Sequence, residues 1–222
     1  MDLDYSVLMF SALTRSLGLA TPVSVFVEGN VGAGKSTALT ELKFALEAKG
    51  KRVCLFLEQT ERWSQQGLLR GLYDGGRDGK RAFDVLGPLR DYVDRQRFCD
   101  RHAREYDVIL FERHPSTALH VFCVDADVAT RELYRSLDAA FPFMRPPEMT
   151  VYLKVSPEEC LKRLRGRNRP EEQKITETFL KEKHEAHEKE MRRRRYEGLD
   201  VREIAADALD VAGVVDTMSS IF

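Results

Sequence analysis

Five short apolar runs recur along the chain, and between them apolar residues return at helical spacing. Pro22 to Val27 is β-branched and ends in Glu28-Gly29, as a buried strand would. Ser36 to Lys49 follows, with Leu39, Leu42, Phe44, Ala45 and Leu46 spaced for a helix. Arg52 to Leu57 reads as a second strand, stopping at Glu58. Gly71 to Gly79 is rich in Gly and Asp and reads as a loop. Pro88 to Glu105 predicts a charged amphipathic helix carrying Leu89, Tyr92, Val93 and Phe98. Asp107 to Phe111 is a third strand, closed by Glu112-Arg113-His114-Pro115. Helices are expected over Arg131 to Phe141, Glu158 to Arg165, Thr176 to Arg195 and Ala208 to Ser219, with Pro142, Pro146 and Pro147 ending the first. Thr150 to Val155 and the weaker Val201 to Ala205 complete the strands, and Ser156-Pro157 is a helix start signal.

Strands alternating with helices imply an α/β fold, a parallel sheet covered on both faces. Nothing reads as a linker or repeat, so one domain is expected over residues 1–222, with 1–20 as a leading segment. In such sheets ligands sit beyond the carboxyl ends of the strands. Those ends are Gly29, Glu58, Glu112 and the segment from Ser156, so two carboxylates should face one crevice.

Composition narrows the function classes. Charged residues make up 32% of the 222, yet the net charge is −1, so no global field points to nucleic acid or a membrane surface. No apolar run approaches a membrane span. Cys54, Cys99, Cys123 and Cys160 are widely spaced without a C-x-x-C pair, and read as buried small hydrophobes in a reducing compartment. Met1 to Ala20 carries Asp2, Asp4 and a single Arg15, a poor import peptide. A short leading helix and a cytoplasmic protein are expected, with the mitochondrion as the alternative.

The chemistry starts at Gly29-Asn30-Val31-Gly32-Ala33-Gly34-Lys35-Ser36, followed by Thr37. A glycine, four free positions and Gly-Lys-Ser/Thr between a strand and a helix form a phosphate-binding loop, whose backbone N–H groups cradle a polyphosphate at a positive helix end. Lys35 would reach the β- and γ-phosphates and the Ser36 hydroxyl would hold Mg²⁺. Glu58, alone a surface carboxylate, could with this loop take a proton from an acceptor hydroxyl. Glu112 resembles the acidic strand ending of phosphate-loop enzymes that supports Mg²⁺, and Arg113 could grip either Glu58 or the acceptor. Arg163, Arg165, Arg167 and Arg169 alternate where Gly166 and Pro170 break the helix. Such a run is usually a solvated helix end, but guanidinium forks suit phosphate oxygens, and a lid over residues 163–172 is the sharper reading. Arg192 to Arg195 reads as a solvated helix face. His184 and His187 lack a completing ligand and are assigned no catalytic part.

With these residues in place the chain resembles the deoxynucleoside kinase family, cellular pyrimidine deoxynucleoside kinases and herpesviral-type thymidine kinases, from Val23 to about Asp207. Besides the loop, the likeness rests on Glu58 with Trp63, Leu68-Leu69-Arg70-Gly71-Leu72-Tyr73, Glu112-Arg113, the arginine run closing in Glu171-Glu172, and Lys183-His184-Glu185-Ala186-His187-Glu188. It implies a phosphate-loop NTPase fold with a five-stranded parallel sheet, ATP with Mg²⁺, a small-molecule deoxynucleoside as partner, and a homodimer. It also implies roles: Glu58 as base for the nucleoside 5′-hydroxyl, Arg113 holding that oxygen, Tyr73 and Glu172 on the sugar 3′-hydroxyl, Trp63 lining the base pocket, and the lid arginines on the phosphates. The family reads the base with a glutamine on the helix after the sugar-binding tyrosine. Counted back from Glu112 that position is Leu89, and the glutamine on that helix is Gln96, which is taken as the candidate. Ala118 stands where thymidine-accepting members have alanine and deoxycytidine-selective members aspartate, a tilt to thymidine or pyrimidines broadly.

Two rivals remain. A thymidylate-type monophosphate kinase would use a cation in place of Glu58, because its acceptor is already a phosphate. A GTP-dependent switch could use Asp84-Val85-Leu86-Gly87, but neither Asn30 nor Asn168 begins a guanine-reading Asn-Lys-x-Asp.

Overall fold

The structure, a computed structural model, describes residues 22–124, 126–140 and 148–221. The leading segment expected over 1–20 and the prolines at 142, 146 and 147 lie outside them. Among the described residues five strands form one parallel sheet: β1 (Val23–Glu28), β2 (Val53–Phe56), β3 (Val108–Glu112), β4 (Glu148–Lys154) and β5 (Asp200–Ala205), in the order β2-β3-β1-β4-β5. Register places Val27 beside both Glu112 and Val151, so the ends of the two central strands and the loop after β1 lie together.

Alternation along the strands divides the core between two faces. Val25, Val27, Leu110, Val151 and Leu153 pack with Leu39, Leu42 and Leu46 of α1 (Lys35–Ala48) and with Val214 and Met218 of α9 (Val211–Ser219). The fully buried α1 leucines contribute about 2 kcal/mol each to this face. On the opposite face Phe26 stacks on Phe111 at 4.8 Å and Phe56 on Phe111 at 5.2 Å. Phe98 of α5 (Pro88–His102) closes that stack edge-on at 5.1 Å. Of the four cysteines expected to be buried, Cys123 and Cys160 are, while Cys54 and Cys99 are only partly so; all are free, and burial pushes the Cys160 thiol to about 11 and those of Cys99 and Cys123 to about 12.

The expected loop over Gly71 to Gly79 is instead a helical hairpin. After α2 (Thr60–Gln65) come α3 (Leu68–Asp74) and α4 (Gly76–Leu86), broken only at their junction. Gly71 and Gly79 serve packing: a Cβ on Gly79 would lie 2.1 Å from the Gly71 carbonyl oxygen. Gly76, at φ 59° with open space around it, makes the turn that the glycines signalled, while the flanking glycines mark the close approach of two helices.

Past β3, a helical turn (Pro115–Thr117) runs into a π-helical stretch (Ala118–Phe122), followed by α6 (Val128–Ala140). Then α7 (Pro157–Arg167), a tight turn (Pro170–Lys174) and α8 (Glu177–Tyr196) bring the arginine run over the sheet's carboxyl end. Helix α7 passes through Gly166 and stops at Asn168, whose φ of 53° forms a left-handed cap, a geometry asparagine adopts more readily than most residues.

One core carboxylate gives the fold a pH signature. Asp91 of α5 is 4% exposed with Oδ2 unpartnered, and burial pushes it up to about 6, with Arg95 and Arg62 opposing. The folded chain therefore holds a proton that the unfolded chain releases near pH 4, so this group's stabilisation is present at low pH and fades between about pH 4 and 6. Asp91→Asn is expected to gain on the wild type across that window by an amount on the order of 2 kcal/mol. Urea unfolding of both proteins at pH 4 to 7 checks this, and a pH-independent difference would contradict it.

Candidate active site

The loop between β1 and α1 is shaped as a cradle. Val31 to Thr37 line a continuous cleft of about 1820 Å³ at the strand ends. Gly32 has φ 85°, and a Cβ there would sit 2.7 Å from the Cys160 carbonyl oxygen, so the backbone can pass α7 only without a side chain. Gly29 and Asn30 stand behind the cleft surface. Asn30 braces the loop, donating to the Leu180 carbonyl at 2.8 Å and accepting from Val31 N at 2.9 Å. Lys35 Nζ donates to the Asn30 carbonyl at 2.9 Å. Burial, with Arg113 nearby, lowers its ammonium to about 8 against the pull of Glu112. A buried cation so placed is ready for phosphate oxygens.

The strand-end carboxylates do face the same space. Ser36 Oγ donates to both Glu112 oxygens at 2.9 Å, and Lys35 Nζ lies 4.0 Å from Glu112. A hydroxyl and a carboxylate on adjacent elements are hard oxygen donors, and Mg²⁺ in nucleotide sites takes one or two such ligands beside phosphate oxygens. These two residues fit that ion. Glu58 backbone N–H donates to Glu112 at 3.2 Å, and its carboxylate accepts from Arg113 Nε at 2.9 Å. Of the two possibilities for Arg113, the structure shows the grip on Glu58.

Behind this pair lies a buried network that the sequence reading missed. Arg113 has φ 65°, a strained setting for a bulky residue. It donates to the Gly29 carbonyl at 2.9 Å and meets His187 Nε2 at 3.2 Å. Burial, then Arg113, lowers His187 well below its usual range, so a neutral ring accepts from the guanidinium while Nδ1–H donates to the Lys183 carbonyl at 2.7 Å. His187 thus has a positioning part after all. Glu28 is fully buried, takes the His114 N–H and the Thr117 hydroxyl, and stands 3.8 Å from Arg113. Burial raises its carboxyl and Arg113 opposes. Burial works against the charge on Arg113 too, but Glu58, Glu28 and Glu112 together outweigh it. The available signal was a third carboxylate, Glu28, closing an apolar strand just before the loop.

The other half of the cleft is aromatic. Trp63 is buried with its ring edge-on to Phe83 at 5.3 Å, and Tyr73, Tyr92, Ala118 and Phe122 share the lining. Gln96 does not reach it: its amide donates to Asp100 at 2.6 Å, one turn along α5. Leu89 packs with Tyr92, Ala118, Cys123 and Tyr134. The count back from Glu112 misled because the helix following Tyr73 is α4, not α5. The switch-like Asp84-Val85-Leu86 lies within α4, not after a strand.

The four arginines of the run divide. Arg163 Nη1 lies 3.3 Å from the Ala33 carbonyl, and Arg167 and Arg169 line the cleft. Arg165 turns away, donating to the Gln173 and Ile175 carbonyls at 2.9 and 2.8 Å. Glu172 accepts from Arg167 Nε at 3.1 Å and lies 3.7 Å from Arg169, so it lines the cleft tied to the arginine run.

A polyphosphate cradle, a carboxylate aimed by arginine and an aromatic chamber in one cleft describe a two-substrate phosphotransferase. The chain matches the deoxynucleoside kinase family over residues 25–217. It belongs to that family. The chain is also 29% identical over 172 residues to the thymidine kinase of Ictalurid herpesvirus 1 (strain Auburn), covering 73% of this chain and 71% of that protein. A solved structure of deoxyadenosine kinase from M. mycoides, with products dCMP and a flexible dCDP bound, matches with a TM-score of 0.71 at 19% identity, covering 89% of this chain and 97% of that one. The fold is that of phosphate-loop NTPases. As a deoxynucleoside kinase the enzyme uses ATP as a nucleotide substrate.

Proposed function

We propose that this kinase transfers the γ-phosphate of ATP to the 5′-hydroxyl of thymidine, or of pyrimidine deoxynucleosides broadly, giving the 5′-monophosphate. The Glu58–Arg113 contact at 2.9 Å, in a cleft continuous with the phosphate loop, carries this reading. A carboxylate suits an acceptor that must lose a proton, whereas an acceptor already bearing phosphate calls for a cation there. Buried Ala118 gives the chamber a small wall, in keeping with thymidine, and the herpesviral relative's name supports the same base.

On this reading Glu58 takes the 5′-hydroxyl proton while Arg113 holds its carboxylate and the reacting oxygen. Lys35, with Arg163, Arg167 and Arg169, balances charge on the phosphates. Ser36 and Glu112 hold Mg²⁺, which when bound neutralises phosphate charge. Trp63 and Tyr73 line the nucleoside, and Glu172 joins Tyr73 on the sugar 3′-hydroxyl by exchanging its hold on Arg167. The chain works as one domain and as a homodimer. No described helix is long and apolar enough to cross a membrane. A cytoplasmic setting, with the mitochondrion as alternative, belongs to the same proposal.

Incubating the enzyme with labelled ATP and each of the four deoxynucleosides or thymidine monophosphate tests the reading. Thymidine is expected to be labelled fastest, and labelling of thymidine monophosphate alone would favour a monophosphate kinase. Glu172→Ala is expected to erase the preference for 2′-deoxynucleosides over 2′,3′-dideoxynucleosides. Survival of that preference removes Glu172 from the sugar site.

A further inference from the structure

The aromatic chamber is lined by a charge pair, a buried carboxylate and a partly exposed ammonium, that the phosphoryl chemistry does not use. Asp84 of α4 is 4% exposed, and Lys80, one turn earlier, donates to its Oδ2 at 2.9 Å. Both line the cleft beside Trp63, Tyr92 and Ala118. Lys80 Nζ also lies 3.3 Å from the Phe122 carbonyl, and the Cys123 thiol hydrogen-bonds to Asp84. Neither group is saturated: a carboxylate offers about four acceptor sites and an ammonium three donors. A buried carboxylate is costly to keep charged in an apolar chamber, and the cost is offset where a ligand uses its remaining valences.

We propose that Asp84 and Lys80 read the edge of the nucleoside base, Asp84 accepting a ring N–H and Lys80 donating to the adjacent ring carbonyl. This rests on the deoxynucleoside reading of the cleft and deepens it. An amide can turn over to suit either an N–H beside a carbonyl or a bare ring nitrogen beside an amino group. A carboxylate only accepts and an ammonium only donates, so their order cannot be exchanged. Thymine has a carbonyl on each side of N3–H, so the pair is satisfied whichever way the ring faces, and guanine presents N1–H beside O6. Cytosine and adenine offer a bare ring nitrogen beside an amino group, and in this order the nitrogen lone pair faces the carboxylate. A site built on buried polar groups rejects a ligand that leaves them unpaired.

The test compares kcat/KM for thymidine and deoxyguanosine with that for deoxycytidine and deoxyadenosine in the wild type, Asp84→Asn and Lys80→Met. Asp84→Asn introduces an amide that can turn over and is expected to lower the oxo-to-amino preference by about tenfold or more, with KM for ATP unchanged. Lys80→Met, at a half-exposed position, checks the pair independently of any folding defect at Asp84 and is expected to lower the same ratio. A purely structural tie would lower all four values together. Variants that fold, by thermal melting, and keep the wild-type ratio overturn the assignment. A wild type that prefers deoxyguanosine to thymidine overturns the pyrimidine reading alone, and one that prefers amino bases overturns the base-reading order proposed here.

Discussion

Replacing Glu58 by glutamine is expected to lower kcat by roughly 10²–10⁴, the scale of a lost general base. The change is nearly isosteric, and the amide oxygen can still accept from Arg113 Nε, now 2.9 Å from the carboxylate. The backbone N–H of Glu58, which donates to Glu112 at 3.2 Å, is untouched. The phosphate cradle should therefore keep its shape, and ATP affinity should change little. Steady-state kinetics with thymidine, beside nucleotide titration of the free enzyme, separate these quantities. Near-normal kcat would remove Glu58 from proton transfer, and loss of nucleotide binding would make its role structural.

Arg113→Ala is expected to damage stability and catalysis together. Arg113 is 6% exposed and holds Glu58, the Gly29 carbonyl and the neighbourhood of Glu28. Removing it leaves Glu28 fully buried with only Arg194 to oppose its charge, and deleting one partner of a buried pair costs about 3–5 kcal/mol. Glu58 also loses the group that aims it, so kcat falls even in molecules that remain folded. Arg113→Lys keeps the charge but not the fork that meets Glu58 and Gly29 separately, and should recover stability more than turnover. Urea unfolding and kcat, measured on both variants, test this. Unchanged stability in Arg113→Ala would mean that Glu28 is balanced by other groups.

The failures of sequence reading share a cause. Gln96 was the wrong candidate because the sequence offers glutamine identity but not which helix follows Tyr73 in space. The hairpin of α3 and α4 was hidden because Gly71 and Gly79 look like turn formers until two helices are seen to cross at them. His187 looked like half of a missing metal set, and only its contact with Arg113 across 74 residues gives it a part. Arg165 alternates in sequence with cleft-lining arginines, yet the turn after α7 takes it for backbone carbonyls.

What the sequence determined alone was whatever depends on local order. The β1–loop–α1 cradle, the five strands and the acidic strand endings at Glu58 and Glu112 follow from periodicity and from glycines next to Lys35 and Ser36. A phosphate loop is one contiguous segment whose backbone makes the site, so its chemistry is written in consecutive residues. The tertiary structure decided what depends on distant residues meeting. It set Arg113 between Glu58, Glu28 and His187, tied Glu172 to the arginine run, and brought Lys80 and Asp84 into the chamber beside Trp63. Those contacts join separate elements, and their energies depend on burial and separation, quantities that exist only once the chain has folded.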